Sequence, residues 1–195
     1  MHSIFQLPSA GSGRGRRGTR VRRLVRPAHL GLILASVAVI AAAAGARAFA
    51  ADLQVTRVFD GETLEVDHGG KKMAVRLAGV DAPEPARFAG DEDQPFSASA
   101  RNLLAGYALN RMVELREYGR DADGYLLAEV FVGDRNVNLA LVQAGLAEVV
   151  ERPAAEGLNL APYRRAEAEA RSARRGMWMQ ERYTSPAQWR RLHGG

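Results

Sequence analysis

Between Leu53 and Val80 the chain alternates apolar and polar residues in three short runs, separated by residues that turn a backbone. Alternation with a period of two puts one side of each run against a core, as β-strands do and helices do not. Leu53 to Phe59 reads as the first strand, and Asp60-Gly61 as its turn. Thr63-Leu-Glu-Val66 alternates again, and Asp67-His-Gly-Gly70 supplies the positive-φ residues of a tight hairpin. Met73 to Val80 is the return strand, ending at Asp81-Ala-Pro83. Three strands joined this closely form a meander.

Downstream the period changes. Glu84 to Pro95, with Asp91-Glu-Asp93, is a polar loop. Ser97 to Asn110 places Ala100, Leu103, Leu104, Tyr107 and Ala108 at helical spacing, with Ser97 as the expected N-cap. Met112–Arg116 and Leu126–Val132 read as two further strands around the turn Arg120-Asp-Ala-Asp-Gly124. Asn136 to Ala144 and Ala161 to Arg175 read as helices stopped by Gly145 and Gly176, and Trp178 is expected to return to the body. The expectation is an α+β chain, a five-stranded Greek-key β-barrel of OB type with about three helices.

The first fifty residues are different in kind. They hold eight Arg and no Asp or Glu, then an apolar run from Leu30 to Ala46 and an Ala48-Phe-Ala50 exit. This is the layout of a secretory signal, cleaved before Ala51. The alternative is a membrane anchor at residues 30–46 with the Arg cluster kept inside. Both readings place the domain outside the cytoplasm, periplasmic or secreted. The division is therefore 1–50 signal or anchor, 51–180 domain and 181–195 tail. The leader takes eight of the 27 basic residues with it, leaving 19 against 22 acidic, so the domain is slightly acidic. The overall positive charge is thus no argument for a nucleic-acid partner. A polyanion would need a local basic patch.

There is no Cys, and after the leader only His68 and His193 remain. Thiolate catalysis and Cys-based zinc sites are excluded, and a His-based centre is disfavoured. Chemistry must run on carboxylates, Arg, Tyr or Lys. Val75-Arg-Leu-Ala-Gly-Val-Asp-Ala-Pro-Glu84, after Asp60-Gly-Glu-Thr63, concentrates such residues on one strand and its exit turn. Phosphodiester hydrolysis uses this set: a cation for the phosphate oxygens, carboxylates for a divalent metal, and a carboxylate that takes a proton from water.

These two segments resemble the staphylococcal (micrococcal) nuclease or thermonuclease family, over roughly Leu53 to Trp178. The resemblance implies the OB-type barrel and a calcium-dependent nuclease acting on DNA or RNA. It implies Ca2+ held by Asp81, by the carbonyl of Ala82 and by Glu62, which stands where the family has Asp. It also implies Glu84 as general base and Arg76 as the first phosphate Arg. Two positions depart. Glu62 is one methylene longer than Asp, and Tyr125 in Asp123-Gly-Tyr-Leu-Leu-Ala128 stands where the second phosphate Arg belongs. Tyr offers one neutral donor in place of a charged fork, so weakened activity is expected. Tyr125 also reads as a half-buried barrel aromatic. The tyrosines of the family's nucleotide pocket are missing from Glu148-Val-Val-Glu-Arg-Pro153. The competing expectation is a catalytically degenerate OB module that binds a component of the cell envelope. The paired Arg164-Arg165, Arg174-Arg175 and Arg190-Arg191 read as solvated charges. The sequence carries no signature of a particular oligomeric state.

Overall fold

The computed structural model describes residues 53–150 and 155–193. The leader, with its apolar run at 30–46 and its Ala48-Phe-Ala50 exit, lies outside the described residues.

The meander forms as expected. Strands β1 (Leu53–Val58), β2 (Thr63–His68) and β3 (Lys71–Leu77) pair antiparallel in sequence order. Their hairpin uses Gly69 and Gly70 at φ 59° and 91°, and the Gly70 N–H donates to Asp67 Oδ1 at 2.7 Å. β1 then pairs with β5 (Met112–Arg120), and β5 with β6 (Leu126–Val132). β6 runs parallel to β3, with Val75 opposite Leu126 and Arg76 opposite Leu127. That pairing closes a five-stranded mixed barrel of OB type. Closure leaves the barrel strands with no long free edge.

The return strand is shorter than its sequence suggests. β3 stops at Leu77, the chain bends through Gly79 at φ 78°, and Val80–Asp81 forms a separate two-residue strand, β4. β4 pairs with β8 (Glu148–Val149), so Asp81 lies opposite Glu148. A side chain at Gly79 would meet Leu158 Cδ2 at 2.6 Å, which explains the glycine.

Inward-facing Val55, Leu64, Val66, Val75, Leu77 and Val130 are fully buried, and helices cap them. α1 (Ser97–Ala108) contributes Ala100 and Leu104, and α2 (Val137–Gln143) contributes Leu141, just beyond β7 (Arg135–Asn136). Asn136 caps α2 by accepting the Leu139 N–H at 3.0 Å, and Gly145 follows its end at φ 69°. Buried Asn138 accepts from Val130 N and donates to Ala78 O and Ala128 O, each at 3.0 Å. It thereby satisfies backbone groups where β3 leaves the sheet.

α3 (Ala161–Ser172) buries Tyr163, whose hydroxyl donates to Glu129 Oε1 at 2.7 Å. Trp178, in a 3₁₀ turn at Gly176–Met179, returns as expected and meets Tyr183 at 4.5 Å between ring centroids.

Two expectations need correction. Ser97 is the first helical residue rather than the cap, because Phe96 takes the cap position at φ 75° and no side chain bonds the helix end. The described residues hold four α-helices, since the expected tail contains α4 (Pro186–Leu192). Ser185 caps it by accepting from Gln188 N at 3.1 Å, with Pro186 in the first turn. Both signals are present in Ser185-Pro186; the shortness of the apolar pattern hid them. Among the described residues no helix is long and apolar enough to cross a membrane.

Candidate active site

The β1–β2 turn, the end of β3, the turn after β4 and α4 surround a cleft of about 580 Å³. Each side chain reaches it for a local reason. Asp60 Oδ1 accepts from Glu62 N at 2.8 Å and Thr63 N at 2.7 Å, a self-closed turn that fixes where Glu62 leaves the backbone. Gly61 lets this turn lie on its neighbours: a Cβ there would be 2.6 Å from Ala100 Cβ and 2.8 Å from Ala82 Cβ. Glu62 Oε2 in turn accepts the Ala82 N–H at 3.1 Å, joining the β1–β2 turn to the turn that carries Asp81 and Glu84.

Arg76 projects from β3, directly beside β6. Its Nη1 donates to Asp121 Oδ2 at 2.5 Å and Asp123 Oδ2 at 3.1 Å, and its Nε lies 3.7 Å from Glu62 Oε1. Burial works against the charged form, but the Asp123 hydrogen bond and the charges of Glu62 and Asp121 outweigh it and raise the Arg76 pKa. The Nε–H is nevertheless buried without a hydrogen-bond acceptor. Tyr125 lies beneath this group, with the guanidinium carbon 4.1 Å from the ring centroid. Its ring faces Arg76 because β6 runs parallel to β3, and Asp121 Oδ1 fixes its backbone N–H at 3.0 Å. Arg120, the nearest alternative to a missing second Arg, is spent on the Gly124 carbonyl at 2.7 Å.

The second guanidinium in the cleft comes from α4. Arg190 donates from Nη1 to Asp81 Oδ1 at 2.9 Å and from Nη2 to Asp81 Oδ2 at 2.8 Å, and Nη1 also bonds Glu84 Oε1. The hydrogen bonds to Asp81 raise its pKa further, against the cost of burial, so it stays charged. This corrects the reading of the Arg190-Arg191 pair: Arg191 is exposed, and Arg190 is part of the site. Buried Gln94 ties the two sides together. Its Oε1 accepts from Glu84 N at 3.0 Å and its Nε2 donates to Thr184 O at 2.8 Å, just before α4.

Glu62, Arg76, Asp81, Ala82 and Glu84, proposed from two separate segments, therefore line one cleft. Sequence reasoning missed Asp121, Asp123, Gln94 and Arg190. The Asp-Ala-Asp turn at 121–123 offered a signal, since paired carboxylates entering the strand beside β3 suit a partner for Arg76. Arg190 offered none.

Glu62, Asp81 and Ala82 are adjacent, but this arrangement does not fit a divalent cation. Both Asp81 oxygens hold Arg190, and Glu62 Oε2 holds a backbone N–H. Among the described residues no group of three acidic or histidine side chains is disposed to hold a metal. The cleft is lined by Asp60, Glu62, Asp81, Glu84 and Asp123 against Arg76, Arg87 and Arg190, two formal negative charges in excess. A phosphate entering this field is repelled unless further positive charge arrives with it.

The chain thus forms a small OB-type barrel with an Arg–carboxylate cleft at its mouth. Residues 74–180 match the family model described as staphylococcal nuclease homologue. The chain belongs to that family. It is 40% identical over 131 residues to a protein of Pyricularia oryzae described as probable endonuclease LCL3, across 64% of this chain and 51% of that protein. It is 30% identical over 139 residues to an uncharacterized endonuclease of Haemophilus influenzae, across 71% and 72%. A Candida tropicalis protein described as probable endonuclease LCL3 is 32% identical over 168 residues, covering 71% of both chains. The chain spans about half the length of the Pyricularia relative.

Proposed function

We propose that this chain is a nuclease that hydrolyses phosphodiester bonds of DNA or RNA. The observation that carries the reading is the Arg76 Nε–H, a charged donor buried at the cleft and lacking an acceptor. Buried charged donors are costly to leave unpaired. A non-bridging phosphate oxygen is an acceptor of the right charge and geometry. Family membership and relatives described as endonucleases support the same reading.

In this mechanism Arg76 stays pinned by Asp121 and Asp123 and binds the phosphate through its remaining N–H groups. Pinning removes the need to reorganise as charge builds on the phosphate oxygens. Glu84 accepts a proton from water as the water oxygen bonds to phosphorus. The opposite P–O ester bond breaks, and the departing oxygen leaves as an alcohol after taking up a proton. Glu84 is free to do this only when Arg190 has moved off it. Calcium dependence is implied by the family resemblance alone, since Arg190 and the Ala82 N–H hold the Asp81 and Glu62 oxygens, and the Arg-rich leader supports action outside the cytoplasm.

The test uses the purified full chain with supercoiled DNA and single-stranded RNA, with calcium and then with chelator. Cleavage that disappears in Glu84→Gln and Arg76→Ala is expected. Absence of cleavage on every substrate removes the reading. Engagement of Asp81 and Glu84 by Arg190 favours a second reading, a module that has lost turnover and binds an envelope component. Restoring Glu62→Asp and Tyr125→Arg together discriminates: a weakened nuclease gains rate, and a repurposed module does not.

A further inference from the structure

We infer that the arginines around the end of α3 form a cationic shelf outside the cleft, which binds the phosphate backbone of a nucleic acid. The choice of ligand rests on the nuclease reading, and the shelf adds a second contact for the same polyanion.

A nuclease of this charge needs such a surface. The domain is slightly acidic, and the cleft carries two formal negative charges in excess. Positive charge must be supplied elsewhere for a polyanion to approach. From Ala161 to Arg182 the chain holds six exposed Arg (164, 165, 171, 174, 175 and 182) against three Glu (167, 169 and 181), a formal excess of three positive charges. The negative end of the α3 dipole offsets about half a charge. The end of α3 therefore stays positive.

The arginines at this end are oriented without being neutralised. Arg174 Nη2 donates to the Met179 carbonyl and Arg175 Nη1 to the Gln143 carbonyl, each at 3.1 Å. Among the described residues neither has a carboxylate partner. A carbonyl fixes a guanidinium and leaves its charge whole, with further N–H groups for a phosphate oxygen. Arg171, which pairs with Glu167 at 3.3 Å, lies with its guanidinium carbon 4.0 Å from the Trp178 ring centroid.

The backbone beneath them is strained and locked. Arg174 follows the C-cap Ala173 at φ 51°, the left-handed conformation that glycine usually fills at this position. Gly176, at φ 56°, packs on Gly145 at the end of α2, and a Cβ on either glycine would lie 2.2 Å from a backbone oxygen. Met177 N–H closes the contact by donating to Gly145 O at 2.9 Å. A glycine at 174 would make the same turn without strain; the arginine adds charge. Strain retained in this way is characteristic of binding sites. The shelf also adjoins the cleft wall. Trp178 meets Tyr183, the Tyr183 hydroxyl donates to Glu148 Oε2 at 2.5 Å, and Glu148 lies opposite Asp81.

The experiment measures fluorescence anisotropy of a labelled duplex DNA with the full chain, in a Glu84→Gln background that keeps the probe whole. Arg174→Gln with Arg175→Gln is compared with Lys71→Gln with Arg111→Gln, which removes the same charge from exposed positions at the start of β3 and just before β5. The leader is the same in every chain. The shelf variant should bind about tenfold more weakly, and its slope of log affinity against log salt should become shallower by about two. Losses no greater than those of the Lys71/Arg111 variant overturn the shelf. Arg174→Gly separates binding from folding: it should melt higher, as the strain is relieved, and bind DNA more weakly. Should the double variant fail to fold, Arg174→Gly decides, and unchanged affinity there overturns the proposal. Phosphatidylglycerol vesicles form the last arm. Loss of vesicle binding in the shelf variant with DNA affinity intact assigns the surface to a membrane and overturns the proposal.

Cleavage assays on chains with Glu84 in place separate this inference from the nuclease reading. Weaker DNA binding by the shelf variant of a chain that cleaves nothing leaves the shelf standing and removes the nuclease. Cleavage with unchanged affinity in the shelf variant does the reverse.

Discussion

The Arg76 guanidinium, on β3, lies over the face of Tyr125, 4.1 Å from guanidinium carbon to ring centroid, where the chain enters the parallel neighbour β6. Tyr125 therefore supports the retained arginine with its ring. A cation on an aromatic face gains about 0.5–2 kcal/mol depending on desolvation. Tyr125→Phe keeps that face and should leave unfolding free energy and cleavage close to wild type. Tyr125→Leu should lose about 1 kcal/mol and lower cleavage by loosening Arg76. Chemical denaturation alongside cleavage rates checks both; a large loss of cleavage in Tyr125→Phe would assign the role to the hydroxyl instead.

Arg76 is a structural ion-pair centre as well as the proposed phosphate ligand. Its side chain is 18% exposed and faces Asp121, Asp123 and Glu62. Deleting it leaves like charges together with no cation between them. Arg76→Ala should destabilise by about 1–3 kcal/mol, discounted at Asp123, which is largely exposed. The purely solvated role that an Arg on a strand suggests predicts no loss. Adding Asp121→Asn to Arg76→Ala should recover part of the stability, and urea denaturation measures this.

Gly61 is where the site floor touches the core. A methyl group at this position falls under 3 Å from the β-carbons of Ala100 and Ala82, neither of which can swing away. Gly61→Ala should cost about 1–3 kcal/mol as overpacking and shift the turn carrying Glu84. Its cleavage should fall more than its stability does. A melting curve and activity indistinguishable from wild type would show that the turn has slack.

Two tyrosines set an alkaline limit on stability. Burial, then hydrogen bonding to carboxylates (Glu129 for Tyr163, Glu148 for Tyr183), raises both phenol pKa values well above the ordinary value. The unfolded chain releases these protons near about pH 10, while the folded one keeps them. Their contribution is thus fully present below about pH 10 and is lost as pH rises through the folded values. Absorbance titration should show these phenolates appearing only with unfolding, and Tyr163→Phe should flatten the alkaline decline. Ionisation of Tyr163 near pH 10 in a folded chain would contradict this.

Much of the architecture was legible because it is local. Alternation marked β1, β2 and the start of β3, and the Asp60 and Gly69-Gly70 turns close on themselves through short-range bonds. The helical spacing of Ala100 and Leu104 and the stop at Gly145 follow from backbone geometry and needed no partner. Arg76, Asp81 and Glu84 were legible as a set because they share one strand and its exit turn.

What tertiary structure alone decided is which charges face one another. Arg76 meets Asp121 across 45 residues, and Arg190 meets Asp81 across 109. Periodicity assigns a side chain to a face and says nothing about what a distant segment brings to that face. An Arg on a short polar helix has the same local pattern whether it is solvated or buried against a carboxylate. The difference is the free energy of a particular encounter, set by the path of the whole chain. The sequence alone determined the barrel and its acidic, arginine-bearing mouth. Only the fold decided that the chain's own Arg190 holds those carboxylates, since Coulomb attraction depends on distance in space and not along the chain.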